Sequence, residues 1–537
     1  MSVYLLLAAV VMLCCVLFQK ISFKFGIPTL LVFILLGMVF GSDGLVKIPF
    51  DDYGFAEQIC SIALIFIMFY GGFGTKWSEA RPVAVKAVCL SSLGVVFTTA
   101  FVGLFCYFVL KIDLLESLLL GAVISSTDAT SVFSILRSRR LNLKYNTASL
   151  LEVESGSNDP FSYMLTAILL SVMQGSASAG QIAYMIFAQI VYGLAFGVVI
   201  ALAASLFLKK FKFSAAGFDA IFIVAIALVA YAAPSALSGN GYLSAYIVGI
   251  VLGNQNIKNK RSLVHFFDGV TGMMQMLLFF LLGLLSFPSQ LPQILPVALL
   301  IALFLTFIAR PMTVFLLLTP FKSPIRQQLL VSWAGLRGAA SIVFAVMATI
   351  SPASTNNDIF HIVFCIVLFS ILVQGSLIPL VAQKLNMTDK NADVMQTFTD
   401  YSDEVPVQFI ELSMPARHPW AGKALKDIIL PPDTILVLLL RDGQKIVPRG
   451  KTVLQAGDTL ILSARAVGAI EGLTLTERVI DKNSKYLGLE ISQIHKTFEM
   501  LIILIKRGNR VIIPRGKTVL KENDILVIQR SEHETKD

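Results

Sequence analysis

Thirteen stretches of the chain are almost wholly apolar: residues 2–19, 27–42, 55–73, 83–110, 114–136, 147–173, 180–208, 215–233, 241–254, 263–286, 291–319, 327–350 and 359–383. The hydrocarbon core of a bilayer is about 30 Å thick and is crossed by about 20 apolar helical residues. The pattern therefore predicts a polytopic all-α membrane domain over 1–385, with thirteen transmembrane helices. Beyond it the apolar runs become short and β-like, separated by Asp-Gly, Gly-Asn and Pro-Arg-Gly turns. This predicts a linker over 386–404, then a water-soluble α+β region made of two similar modules, 405–470 and 471–537.

Composition sharpens the division. Of 537 residues 56% are hydrophobic and 14% charged, whereas soluble chains carry about 25% charge. A wholly soluble enzyme is excluded. Residues 1–385 hold 22 basic and 14 acidic side chains, and residues 386–537 hold 21 and 20. The basic surplus of the first part is scattered over many short connections, which argues against nucleic acid as a partner. Those connections orient the chain. With a cytoplasmic tail, the predicted spans place the N-terminus outside, and the cytoplasmic connections then carry 18 basic residues against Lys47 and Lys111 on the other side. The apolar run from Val3 to Phe18 has no basic flank before it and no small-residue cleavage site, so it reads as a retained first helix. All six cysteines fall in the apolar part, none at metal or redox spacing, and read as small apolar fillers.

A charge inside a membrane span is costly and marks function. Asp128, Glu152, Glu154, Asp159, Arg310 and Arg337 are such charges. Three of the acids lie in L-E-V-E-S-G-S-N-D-P, residues 151–160. At 1.5 Å per residue, Asp159 sits roughly 18 Å into its span, near the midplane, where transporters build ion sites. Ser155 lies one helical turn before Asp159, so a hydroxyl and a carboxylate face the same point; Glu154 and Asn158 form a second such pair. Pro160 lacks an N–H and leaves the Gly156 carbonyl without its helical partner. Together these oxygens form a cage for a hard cation.

Two further spans look breakable. Asp128 sits among small hydroxyl residues in G-A-V-I-S-S-T-D-A-T-S, and Gly335 and Gly338 bracket Arg337 in W-A-G-L-R-G-A-A-S. Hydroxyl side chains can satisfy an unwound backbone. The two spans are seven apart and so run in opposite directions, as equivalent broken helices of two inverted repeats do. Their partial charges at mid-membrane can be neutralised by Asp128 and Arg337.

On the strings S-S-T-D-A-T (125–130), E-S-G-S-N-D-P (154–160), A-R-P (309–311) and G-L-R-G (335–338), the membrane part resembles the NhaP branch of the monovalent cation:proton antiporters. With its tail, the chain resembles bacterial potassium/proton antiporters of the cell-volume-regulation type. The resemblance implies that Asp159, beside Asn158, binds either a cation or a proton. Ser155 and the Thr127 backbone would add ligands, and Asp128 would act through water or by capping the crossing. Glu154 and Arg337 would form a structural ion pair, while Arg310, Gly335 and Gly338 support the crossing. The Asn-Asp pair resembles electroneutral exchangers, and homodimers are the family expectation. Two departures stand out: Ala129 follows Asp128 where many members have proline, and Tyr70 precedes Gly71-Gly72 where some have an acid.

The tail is a duplication of period 66. Pro448-Arg-Gly-Lys-Thr-Val-Leu454 recurs at Pro514 to Leu520, and residues 435–445 align without gaps to 501–511. R-G-K-T is not a P-loop: Lys445 and Val511 occupy the position of the required first glycine, and the context is a hairpin. The modules resemble RCK-type (TrkA-C) regulatory modules of potassium channels and transporters. That resemblance implies a small regulatory ligand, a nucleotide or cyclic dinucleotide, or else a dimerisation platform.

The reading is a secondary antiporter exchanging K+, or Na+, for H+ in the bacterial inner membrane, with no cofactor. A midplane carboxylate is costly to ionise, and a bound cation stabilises the ionised form, so one group binds a proton or a cation but not both. A ligand-gated potassium channel or uptake protein is the alternative, but it lacks a T-V-G-Y-G-type filter. An enzyme would need a nucleophile–base pair or a metal set; His265 and His361 stand singly near span ends and read as interfacial.

Overall fold

In the computed structural model the chain forms two compact units, Met1–Ser402 and Asp403–Asp537. The residues described are 6, 9–18, 29–138, 141–175, 178–211, 217–255, 257, 260–353, 355–389, 407–415, 418–431, 434–441, 444–465, 474–481, 484, 486–497, 500–507, 510–512 and 514–530. Outside them lie the orienting charges Lys20, Lys24, Arg139, Arg140, Lys212 and Lys258, most of the predicted linker, and the turn pairs Asp442-Gly443 and Gly508-Asn509.

Among the described residues the first unit is built of helices and one short ladder. Its helices are α1 (Ala9–Phe18), α2 (Thr29–Phe40), α3 (Tyr53–Gly74), α4 (Trp77–Ala80), α5 (Ala84–Ser91), α6 (Leu93–Phe108), α7 (Leu114–Val123), α8 (Ala129–Ser138), α9 (Thr147–Met173) and α10 (Ala179–Lys210). Then come α11 (Phe218–Ser235), α12 (Gly241–Gly253), α13 (Lys260–Leu284), α14 (Leu291–Phe304), α15 (Arg310–Leu318), α16 (Ile325–Trp333), α17 (Ala339–Ile350), α18 (Ile359–Phe369) and α19 (Ser376–Lys384). Counting α5–α6, α14–α15 and α18–α19 as single rods, seven helices among the described residues are long and apolar enough to cross a membrane, and five shorter ones are apolar.

Local chemistry sets the boundaries. Asp52 starts α3 by accepting the Phe55 amide at 2.8 Å, and Ser178 and Gln181 close a reciprocal cap on α10. Bare backbone fixes the tightest crossing: a Cβ on Gly72 of α3 would lie 2.2 Å from the Tyr246 carbonyl of α12, and one on Gly249 would lie 2.1 Å from the Phe69 carbonyl. Small residues let helices approach in this way where lipid supplies no hydrophobic drive. A short ladder follows α19: β1 (Asn142–Leu143) pairs with β2 (Thr388–Asp389), and Met387, just before β2, is fully buried.

Two predicted spans are interrupted where the sequence predicts. Residues 124–128 separate α7 from α8, and residues 334–338 separate α16 from α17. Two other rods carry a π-helical turn, at Leu305–Ala309 just before Arg310 and at Ser370–Gly375; such turns often mark functional positions.

The second unit holds two four-stranded antiparallel sheets. The first is built from β3 (Val407–Ser413), β4 (Thr434–Arg441), β5 (Gln444–Ile446) and β6 (Thr459–Arg465), in the order β3-β6-β4-β5. The second uses β7 (Thr474–Val479), β8 (Met500–Arg507), β9 (Arg510–Ile512) and β10 (Ile525–Arg530), in the order β7-β10-β8-β9. The two orders are the same, as a duplication requires. The repeated Pro-Arg-Gly-Lys-Thr string is a turn in both copies: the Arg449 amide donates to the Thr452 hydroxyl at 2.9 Å and the Arg515 amide to that of Thr518 at 2.8 Å. The copies differ in one connection, a 3-10 turn at Leu425–Asp427 in the first and helix α20 (Ile491–Thr497) in the second.

Candidate ion-exchange site

The two interruptions are joined to each other through the backbone. The Asp128 amide donates to the Leu336 carbonyl at 2.8 Å, and Gly338 lies against Asp128 so closely that a Cβ there would be 2.4 Å from the Asp128 Cβ. Arg337 Nη1 donates to the carbonyls of Ser125 and Ser126, at 2.7 and 2.8 Å. These carbonyls extend the C-terminal, electronegative end of α7, so the guanidinium neutralises it. Asp128 works at the opposite pole, accepting from the Ser131 amide at 3.3 Å and from its hydroxyl at the start of α8. Hydroxyls take up further polar groups of the crossing: Ser126 meets Ser341 at 3.0 Å, and the Arg337 amide donates to Ser370 Oγ at 3.0 Å. Ser370 opens the second π-helical turn and donates in turn to Gln374 at 2.6 Å.

Helix α9 passes this crossing and brings Ser155 and Asn158 against Thr127. Ser155 Oγ donates to the Thr127 carbonyl at 2.7 Å, and Asn158 Nδ2 donates to Thr127 Oγ1 at 2.6 Å. Asp159 is buried, and its Oδ1 has no hydrogen-bond partner among the described residues. Asp159, Ser155, Thr127 and Asp128 all line one cavity of about 640 Å³. Pro160 does not break α9. Asn240 donates to the Pro160 carbonyl at 2.7 Å, and Gly156 leaves room for the Tyr246 ring, which a Cβ would approach to 2.5 Å.

One expectation is corrected. Glu154 pairs with Arg310, not with Arg337: Glu154 Oε1 lies 2.6 Å from Arg310 Nη2, with both side chains buried. The reason is the crossing itself, whose carbonyls occupy Arg337. Gly335 then serves Arg310, since a Cβ there would lie 2.7 Å from Arg310 Nε.

The set of in-span charges is also larger than expected. Glu57 accepts from Ser61 Oγ at 2.8 Å within α3, and Glu116 in α7 accepts from the Asn357 amide at 2.8 Å. Asp268 in α13 lines the cavity. A plain count of acids inside the apolar stretches finds all three. His361 is buried rather than interfacial: its Nδ1 faces Asp358 at 2.5 Å and its Nε2 accepts from the Phe287 amide at 3.1 Å.

Comparison with known proteins places this geometry. Residues 6–384 match the family model described as sodium/hydrogen exchanger, transmembrane, and residues 409–470 and 475–534 each match the TrkA-C domain. The K(+)/H(+) antiporter NhaP of Alkalimonas amylolytica is 34% identical over 462 residues, 85% of this chain and 80% of the relative. The K(+)/H(+) antiporter NhaP2 of Shewanella oneidensis is 31% identical over 494 residues, 90% of this chain and 85% of the relative. The solved sodium proton antiporter MjNhaP1 of Methanocaldococcus jannaschii superposes with a TM-score of 0.62 at 24% identity, covering 70% of this chain and all of that one. The chain belongs to the sodium/hydrogen exchanger family: a multi-pass, all-helical membrane exchanger carrying a TrkA-C region.

Proposed function

We infer that the chain is a secondary active antiporter that exchanges a monovalent cation for protons, with potassium preferred to sodium. The observation that carries this is Asp159: a buried carboxylate with an oxygen unpartnered among the described residues, at a cavity that both interrupted helices help to line. In such a place a carboxylate needs a proton or a cation as counter-charge. Occupancy by one displaces the other, and coupling follows. The neighbour at 158 is a neutral amide, as in the electroneutral exchangers that the Asn-Asp pair resembles, which supports exchange of one proton for one monovalent cation. The names of the relatives at 34% identity, which are potassium/proton antiporters, support potassium.

Ser155 and the Thr127 carbonyl complete the ion's ligands, with Asp128 acting through water or as the cap of the crossing. Glu154, Arg310, Arg337, Gly335 and Gly338 hold that crossing. Thirteen transmembrane crossings with inverted repeats, a homodimer, an outside N-terminus and cytoplasmic modules over 405–470 and 471–537 complete the reading. The modules adjust transport on binding a nucleotide or cyclic dinucleotide.

Dequenching of a pH-sensitive dye in everted vesicles tests the function. Addition of potassium should collapse a preformed pH gradient at lower concentration than sodium does, and chains lacking residues 403–537, the second unit, should keep exchange while losing its regulation. A response to neither ion overturns the reading.

A further inference from the structure

The cavity at Asp159 is lined by four carboxylates, those of Asp128, Glu152, Asp159 and Asp268, and by no basic side chain among the described residues. Glu152 and Asp159 are buried, Asp128 is half-buried and Asp268 is exposed. Asp268 comes from α13, eight residues after Lys260, and Tyr70 reaches it from α3, six residues before Lys76; the Tyr70 hydroxyl donates to Asp268 Oδ1 at 3.4 Å. Both therefore stand toward the end of the helices that carries basic connections.

The glycines on this wall differ from those that pack helices. Gly71, Gly269 and Gly272 line the cavity, and a Cβ on any of them would meet nothing within 4 Å. Gly72, next in sequence to Gly71, is filled to contact by α12. Bare backbone beside open space keeps the passage wide, and width next to Asp268 is room for an ion that still holds its water. A cleft of one charge sign between low-dielectric walls concentrates counter-ions.

We propose that Asp268, held by Tyr70, is a second cation site of this exchanger, a recruiting carboxylate at the wet end of the passage to Asp159 that takes a hydrated monovalent cation before it is stripped of water. The proposal rests on the antiport reading given above. It assigns Asp268 to capture, leaving the competition with protons to Asp159.

The test is cation-driven proton flux in everted vesicles, measured as apparent KM and maximal rate for Asp268→Asn, Asp268→Glu and Tyr70→Phe. Asp268→Asn should raise the cation KM about tenfold, the lower end of what such focusing supplies, with the loss carried in KM rather than in maximal rate. Asp268→Glu should restore most of the affinity. Tyr70→Phe should shift KM in the same direction as Asp268→Asn but less, and added choline chloride should narrow the gap between wild type and Asp268→Asn by screening. A KM for Asp268→Asn equal to wild type, or a fall in maximal rate alone, overturns the proposal, as does a glutamate variant no better than the asparagine one. Asp159→Asn in the same vesicles separates the two claims. Full exchange in that variant defeats the antiport assignment of Asp159, whereas its loss with a normal KM for Asp268→Asn defeats only the recruiting role.

Discussion

Glu154 Oε1 and Arg310 Nη2 lie 2.6 Å apart, both buried, at the side of the crossing between the interrupted helices. Two charges withdrawn from solvent depend on each other, because either alone is an uncompensated buried charge costing about 3–5 kcal/mol. Arg310→Gln should therefore lower the thermal stability of the detergent-purified protein sharply. Glu154→Gln introduced with it should recover part of the loss. A melting temperature for the double variant below that of both singles would contradict the pairing. Arg337→Gln should behave differently, since its partners are carbonyls, and should gain nothing from Glu154→Gln.

The approach of Gly338 to Asp128 gives a second expectation. Alanine at 338 places a methyl group 2.4 Å from the Asp128 Cβ, and neither backbone can retreat without breaking the bond from the Asp128 amide to Leu336. Overpacking of this kind costs about 1–3 kcal/mol. Gly338→Ala should lose most exchange at normal expression, while Gly180→Ala, where nothing lies within 4 Å of the new methyl, should match wild type. Cation-driven dye responses on the two variants check this.

The tail carries a duplicated clamp. Arg441 grips Asp458 through Nε at 2.7 Å and Nη2 at 2.8 Å, and the same Nη2 donates to the Val453 carbonyl at 2.9 Å. Sixty-six positions later Arg507 holds Asp524 at 2.7 Å through both nitrogens and donates to Val519 at 2.8 Å. The bonds from Arg441 hold the Asp458 carboxyl below the usual carboxylate range; for Asp524, burial pushes upward but the Arg507 bonds prevail and the net direction is again down. A carboxyl lowered in the folded state adds stability above its ordinary value, about 4, and that stability disappears as pH falls through the folded value. The modules should hold their stability from neutral pH down to about pH 4 and lose it below. Trp420 packs on the first module's core, so its fluorescence in a Trp77→Phe/Trp333→Phe background reports the transition. Arg441→Gln should destabilise the module by about 3 kcal/mol at neutral pH. A melting temperature independent of pH between 5 and 3 in wild type would refute the clamp's role.

Much of this site was legible in the sequence because membrane burial makes polar residues informative. Asp159, Asn158, Ser155 and Thr127 announced themselves as a polar cluster inside apolar runs, and hydroxyls and glycines marked both interruptions. The partner of Glu154 was not legible: Arg310 and Arg337 both stood in apolar spans, and only the crossing decides which one the carbonyls of Ser125 and Ser126 occupy. The π-helical turns before Arg310 and at Ser370 leave no trace in composition. Asp268 stands in an apolar run where a count of acids finds it, but its place at the cavity beside the Tyr70 hydroxyl needed the packing of α13 on α3. In the tail, the 66-residue period set Arg441 against Arg507 and Asp458 against Asp524, yet the bonds between each pair needed the strand order.

The central claim is that one carboxylate alternates between a proton and a cation. Asp159→Asn, reconstituted in proteoliposomes at wild-type protein levels, tests it most directly through potassium- or sodium-driven proton flux. The account predicts no exchange with either ion while the protein stays folded, because an amide can neither release a proton nor supply the counter-charge. Undiminished cation-driven proton flux in that variant would contradict it.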